Sequence, residues 1–309
     1  MTKENLLDKL DEAQTPEEIK ALGQELLALD PNDPHGKLAV WEGMDNDEAL
    51  DNLDMLREAL DVARAVVEAK TEPPSLEDDR DAMAYATLLM NLGFSVLAAG
   101  ETEQAYEFAK ELTNFDDEGI YPGRTLLYRC MLDLGLYAEI LDTLEADPLE
   151  SVLGEHARAI ALLEQGADKL EVFDAVNYAM SISPDVPFYV LGMWDFPESE
   201  DDLDEDEADA ISDAMYLYEP WSKTDERLAA LSAPTFLFGY ITDRVDDKKE
   251  MQVLKEGYEE YGVLDKVEAA KKEIEKMEKK GCEIEEIDAR AIGFTGDILE
   301  ELGKAAEAE

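Results

Sequence analysis

Histidine and cysteine are nearly absent from this sequence, with two of each in 309 residues. His35 and His156 have no third ligand at a useful spacing, so neither a histidine metal site nor a histidine general base is expected. Cys130 and Cys282 fall in no metal or redox spacing, which argues against a disulfide framework. Cys130 stands beside Met131 and Leu132 on a predicted helix and reads as a small buried apolar side chain. Basic residues are scarce as well: 27 Lys+Arg face 77 Asp+Glu, a formal net charge of −50. Such a chain cannot neutralise a phosphate backbone, and an anionic membrane surface repels it. Long apolar runs are missing, both at the N-terminus MTKENLLDKLDEAQ and elsewhere, so we expect a cytoplasmic chain with no membrane and no direct nucleic-acid partner. Phosphate-cradling glycine loops and the nucleophile elbow are absent too. We therefore expect no catalytic residues, no cofactor, no metal and no enzymatic activity.

What the chain does have is apolar residues, 45% of the total, in helical spacing. That fraction sets it apart from a disordered acidic polymer. Alternating β-branched runs are nearly absent, while helix starts and stops recur. Thr15-Pro16-Glu17-Glu18 is a capping box with proline in the first turn, predicting a helix to about Leu29. Asp33-Pro34 begins the next helix, and Ala49 to Lys70 reads as one long amphipathic stretch. Thr71-Glu72-Pro73-Pro74 breaks it, and Ser75 with Asp78 is expected to open another helix. Segments of this length joined by short loops predict antiparallel helix hairpins.

The hairpins repeat. Leu92, Gly93, Gly100, Ala105 and Ala109 stand at the relative positions of the leucine, the glycines and the small residues of a tetratricopeptide repeat. Small residues let two helices approach, and the turn glycine supplies a left-handed residue at a helix end. Gly135 and Gly166 recur in the same role, and Val172, Val176, Ala179 and Pro184 fit a second helix and its stop. The fold expected is all-α: a right-handed solenoid of tetratricopeptide-like hairpins with a C-terminal helical cap. The charge divides the chain, with an acidic repeat domain over 1–246 and a near-neutral cap over 247–309. In 248–280, nine Lys balance nine Asp+Glu. Met251, Leu254, Tyr258 and Tyr261, then Val267, Ala270, Ile274 and Met277, predict a helix pair there. Residues 282–295 read as a short Ile-rich segment, followed by a last helix from about Asp297.

A more specific pattern lies in the middle. Gly119-Ile120-Tyr121-Pro122-Gly123 is followed by Ser183-Pro184-Asp185-Val186-Pro187-Phe188-Tyr189-Val190-Leu191, then by Glu207-Ala208, Tyr216, Trp221 and Ala229-Ala230-Leu231. Over about 114–231 this order resembles bacterial tetratricopeptide-like proteins related to the suppressor of tumorigenicity seven family. The Val-Pro-x-Tyr core and the downstream Trp match. Ser183 and Asp185 replace the Asn and His of the family pattern. The resemblance implies a helical-repeat protein and no defined chemistry.

In the repeat phase, the first helix of each hairpin lines a concave face. Met90, Phe94 and Leu97, with Arg129 from the next repeat, would then form a candidate peptide groove, unless the C-terminal helices fill it. Trp41, Trp194 and Trp221 fall near helix ends and read as packing anchors. The densest acidic run is Glu198 to Asp209. Asp202, Asp204 and Asp206 mimic the first ligands of an EF-hand, but Glu207 occupies the glycine position and Asp213 the place of the bidentate Glu. A solvated acidic loop is expected, with weak divalent-cation binding as the alternative. The function expected is a protein-interaction scaffold for a basic or amphipathic segment of a partner, in an oligomeric state the sequence does not specify. Mimicry of a nucleic acid, or adaptation to high salt, are the other sources of such a charge. With 18 Lys against 9 Arg, the chain lacks the lysine depletion expected of salt adaptation.

Overall fold

The computed structural model describes residues 1–71, 74–197, 203–245 and 248–307. Among them are seventeen helices and no strand, so the all-α expectation holds. They form two compact units, Met1–Cys130 and Met131–Glu309. The boundary expected between 246 and 247 lies outside the described residues, as do Glu72 and Pro73 of the expected break and 198–202 of the acidic run.

The first unit holds α1 (Lys3–Glu12), α2 (Pro16–Leu29), α3 (Pro34–Glu42), α4 (Asn46–Asp51), α5 (Leu53–Glu68), α6 (Arg80–Ala98) and α7 (Thr102–Phe115). α8 (Gly123–Leu134) runs across the boundary between the units. Short polar side chains set the starts. Thr15 Oγ1 accepts from the Glu18 amide at 3.3 Å, the forward half of the expected capping box, while the Glu18 carboxylate reaches one residue further back, to the Gln14 amide; α2 ends at Leu29 as expected. Two boundaries differ from expectation. Asn52 interrupts the stretch from Ala49, separating α4 from α5. Asp79, rather than Ser75 with Asp78, caps α6 by accepting from the amides of Asp81 and Ala82. A carboxylate receiving two amides holds a helix start more strongly than the Ser75 hydroxyl, which closes only a local turn onto the Glu77 amide.

α2 packs on α3, α3 on α5, α5 on α6 and α6 on α7. The core between them is Leu56, Leu60, Leu88, Leu89, Leu92 and Leu112, interleaved with Ala59, Ala63 and Ala86. Each leucine buried this way contributes about 2 kcal/mol, and the alanines let the helix axes close up. Gly93 serves the same purpose. A Cβ there would lie 2.3 Å from Leu126 Cδ2, so the leucine side chain would have to move to admit any larger residue. Arg64 grips Glu111 with two nitrogens, at 2.7 and 3.0 Å, tying α5 to α7.

The second unit holds α9 (Tyr137–Ala146), α10 (Val152–Glu164), α11 (Lys169–Ile182), α12 (Val186–Val190), α13 (Glu205–Ser222), α14 (Asp225–Ile241), α15 (Lys248–Glu260), α16 (Leu264–Lys280) and α17 (Ile284–Glu307). α9, α10 and α11 pack in succession, and α17 lies on α11, α14 and α16. The helix pair of 248–280 forms as expected. The Ile-rich segment does not end at 295; it is the first half of α17, which runs unbroken through Gly293 and Gly296. Ile287, Ala291, Ile298 and Leu299 are all buried along it, and that continuous apolar face outweighs the cost of two helical glycines.

The same turn closes helix after helix. Gly100, Gly135 and Gly166 have φ of +79°, +70° and +75°. At each one the following amide reaches back five residues: Glu101 to Val96, Leu136 to Met131, Ala167 to Leu162. This pairing satisfies carbonyls that a helix end otherwise leaves open.

Candidate functional site

Met90, Phe94 and Leu97 lie on one face of α6, separated by four and then three residues, and each is half-buried. Arg129, also half-buried, lies on α8 one turn after Leu126, the residue that meets Gly93. Met90 also packs against the leucine core. The stripe is therefore the rim of a core helix, with Leu88, Leu89 and Leu92 behind it. α6 is the one helix among the described residues long and apolar enough to cross a membrane, and half of that stretch is buried inside the fold.

Both histidines are buried. Burial lowers the pKa of His35, against the opposing pull of Asp33. His156 is fully enclosed, with neither ring nitrogen hydrogen-bonded and its ring edge-on to Trp221 at 5.9 Å. Burial pushes it down to about 3, so it is neutral at physiological pH. Arg158, which the sequence sets beside it, pairs instead with Glu155 at 2.6 Å. Cys130 is buried among apolar residues as expected. Among the described residues, no group of three or more His, Cys, Asp or Glu is placed to hold a metal ion.

The acidic run becomes a helix start. Asp204 caps α13 through the Glu207 amide, and Glu205, Asp206 and Glu207 occupy the first turn. Four carboxylates there offset the positive end of the helix dipole. Asp202 of the EF-hand-like pattern lies outside the described residues. Asp213 is about two turns into α13, and burial followed by the charge of Asp209 pushes its carboxyl up to about 7.

The segment around the Val-Pro-x-Tyr core forms an aromatic cluster that the sequence reading did not assemble. Beyond α12, Gly192 turns the chain with φ +66°. The amides of Met193 and Trp194 then both reach the Phe188 carbonyl, at 2.9 and 3.2 Å. The Trp194 ring stacks on Phe188, with centroids 4.8 Å apart, and meets Tyr189 edge-on at 5.4 Å. Phe196 also stacks on Tyr189, at 5.6 Å. Phe188 and Tyr189 are buried, Trp194 is half-buried, and Phe196 remains 42% exposed. The readable signal was four aromatic residues within 188–196, directly before the acidic run.

The largest buried polar group is Arg227 on α14. Its nitrogens donate to Glu164 (2.8 Å), the Pro220 carbonyl (2.7 Å) and the Tyr137 hydroxyl (2.7 Å). It joins the ends of α10 and α13 to the start of α9, with every contact hydrogen-bonded, as a buried cation requires. No family model matches this sequence, and no match to it is found among curated proteins or solved structures.

Proposed function

We propose that this chain is a non-enzymatic, cytoplasmic interaction scaffold that binds a basic or amphipathic segment of a partner protein, without direct contact to nucleic acid or membrane. The observation that carries the reading is the recurring turn at Gly100, Gly135 and Gly166, left-handed each time and closed by the same five-residue bond. Three helix-to-helix connections built on one turn, at a spacing near that of tetratricopeptide repeats, support a repeat architecture. In this reading the joined helices belong to a right-handed solenoid, residues 247–309 are its cap, and the middle of the chain is related to the suppressor of tumorigenicity seven family. The stripe of Met90, Phe94 and Leu97, with Arg129, is the groove that holds the partner segment. The charge of −50 selects the sign of that partner and speeds its encounter.

The test is affinity capture from the host cell with the wild type and Phe94→Ala, at physiological and at high salt. We expect the wild type to retain a basic protein at physiological salt. Phe94→Ala should lose it while melting at the wild-type temperature. Capture unaffected by the substitution, or a lowered melting temperature, would mean that Phe94 packs the core and lines no groove. A partner held only at low salt would reduce the interaction to bulk charge.

A further inference from the structure

Phe196 presents an aromatic ring to solvent at 42% exposure, backed by Tyr189 and beside the half-buried Trp194. Carboxylates stand near these rings along the chain and at the start of α13. Asp195, exposed, sits between the two in sequence. Glu207 lies exposed on the first turn of α13, and burial first, then the charge of this carboxylate, raises the pKa of the Tyr189 hydroxyl. Asp204, Glu205 and Asp206 stand exposed on the same helix start. A cation is also near, on Arg244, but it is already engaged. It holds Asp288 with two nitrogens, at 2.6 and 2.9 Å, contacts Asp185 at 3.3 Å and lies over the Phe238 ring.

An exposed ring face with carboxylates at its edge has one well-matched ligand class. The ring quadrupole attracts a cation over its face. A guanidinium adds to this what an ammonium lacks: it is planar, weakly hydrated, and can stack on a ring while its edge nitrogens reach a carboxylate. We propose that the shelf formed by Trp194 and Phe196 over Tyr189, with Asp195 and Glu207, receives an arginine side chain from a basic segment of a partner protein. This rests on the reading of the chain as an interaction scaffold, but it names a contact separate from the α6 stripe. The surrounding negative charge draws basic segments to the protein, and the rings select arginine among them.

Calorimetric titration of the full chain at physiological salt tests this with two matched short peptides, one carrying arginines and the other lysines at the same positions. We expect the wild type to bind the arginine peptide more tightly, with a change in Trp194 fluorescence that disappears in Trp194→Phe. Phe196→Ala should weaken arginine-peptide binding about fivefold or more, the scale of a cation–ring contact, and bring it close to the lysine peptide. Glu207→Gln should weaken it as well. If Phe196→Ala lowers the melting temperature, Glu207→Gln, an isosteric change at an exposed position, decides in its place. Equal binding of the two peptides, unaltered by these substitutions, overturns the shelf and leaves the scaffold reading standing. Failure of the wild type to bind either peptide overturns both.

Discussion

His156 shows how far a single residue's behaviour is set by what encloses it. Its pKa is about 6.5 in an unfolded chain and about 3 in the fold, because burial disfavours the charged ring. The lowered value fixes the sign. Below pH 6.5 the unfolded state takes up a proton that the folded state refuses, so stability is lost as pH falls from about 6.5 toward 3. At pH 4.5 the loss from this one group is on the order of 2–3 kcal/mol. Carboxylate protonation relieves charge repulsion over part of the same range, so the effect is read as a difference. We expect His156→Leu to be relatively more stable than the wild type at pH 4.5 than at pH 7 in urea unfolding followed by tryptophan fluorescence. A difference that stays constant with pH would mean that the ring takes up its proton in the fold. None of this was legible in the sequence, where Arg158 stood as the neighbour and enclosure by Trp221, 65 positions on, had no local sign. Cys130 was legible because its own helix neighbours are apolar, and burial follows from them.

At the scale of the element, the glycine turns were the clearest part of the sequence. A left-handed residue at a helix end has few chemical solutions, so the glycine itself marks the position. No other group lies within 4 Å of where a Gly100 Cβ would be, so a substitution there meets no clash and tests conformation alone. We expect Gly100→Ala to destabilise the protein by about 1–2 kcal/mol, and Gly100→Asn by less, in thermal unfolding. Equal melting temperatures for wild type and Gly100→Ala would mean that this turn is not held left-handed in solution. The stripe of α6 was likewise visible as a period. What contact it makes depends on which helix lies over it, and the period does not carry that. The interrupted stretch at Asn52 and the unbroken α17 were not legible for a related reason. In α17, Asn177 of α11 donates to the Ile292 carbonyl beside Gly293, and α11 and α14 cover the apolar face, so packing decides where the two glycines would argue for a break. The aromatic shelf was missed because it depends on Gly192 folding the chain back onto α12, which makes neighbours of rings that the sequence reading treated separately.

At the scale of the molecule, charge is the governing quantity. It is shared between the units: residues 1–130 hold 30 Asp+Glu against 11 Lys+Arg, and 131–309 hold 47 against 16. For a compact protein of this mass, the surplus amounts to a mean spacing of about 16 Å between net charges, against a screening length of about 8 Å at physiological salt. As ionic strength falls toward about 0.01 M the screening length grows to about 30 Å and exceeds the spacing, and self-repulsion opposes the fold. We expect the melting temperature to rise with added sodium chloride up to physiological strength and then to level off. A flat response below that strength would show that the ion pairs, such as Arg64 with Glu111, already neutralise the repulsion locally.

The contacts of Arg227 also bear on the order in which the protein can be made. Tyr137 and Glu164 leave the ribosome 90 and 63 residues ahead of the guanidinium that joins them. Asn177 precedes Ile292, whose carbonyl it meets, by 115. In the first unit the span from Asp8 to Arg80 is 72 residues. During vectorial synthesis the first unit therefore has its bonding groups in hand before the second has the cation that joins α9, α10 and α13. A nascent chain stalled short of residue 227 would leave the ends of α9 and α10 without the buried cation that joins them.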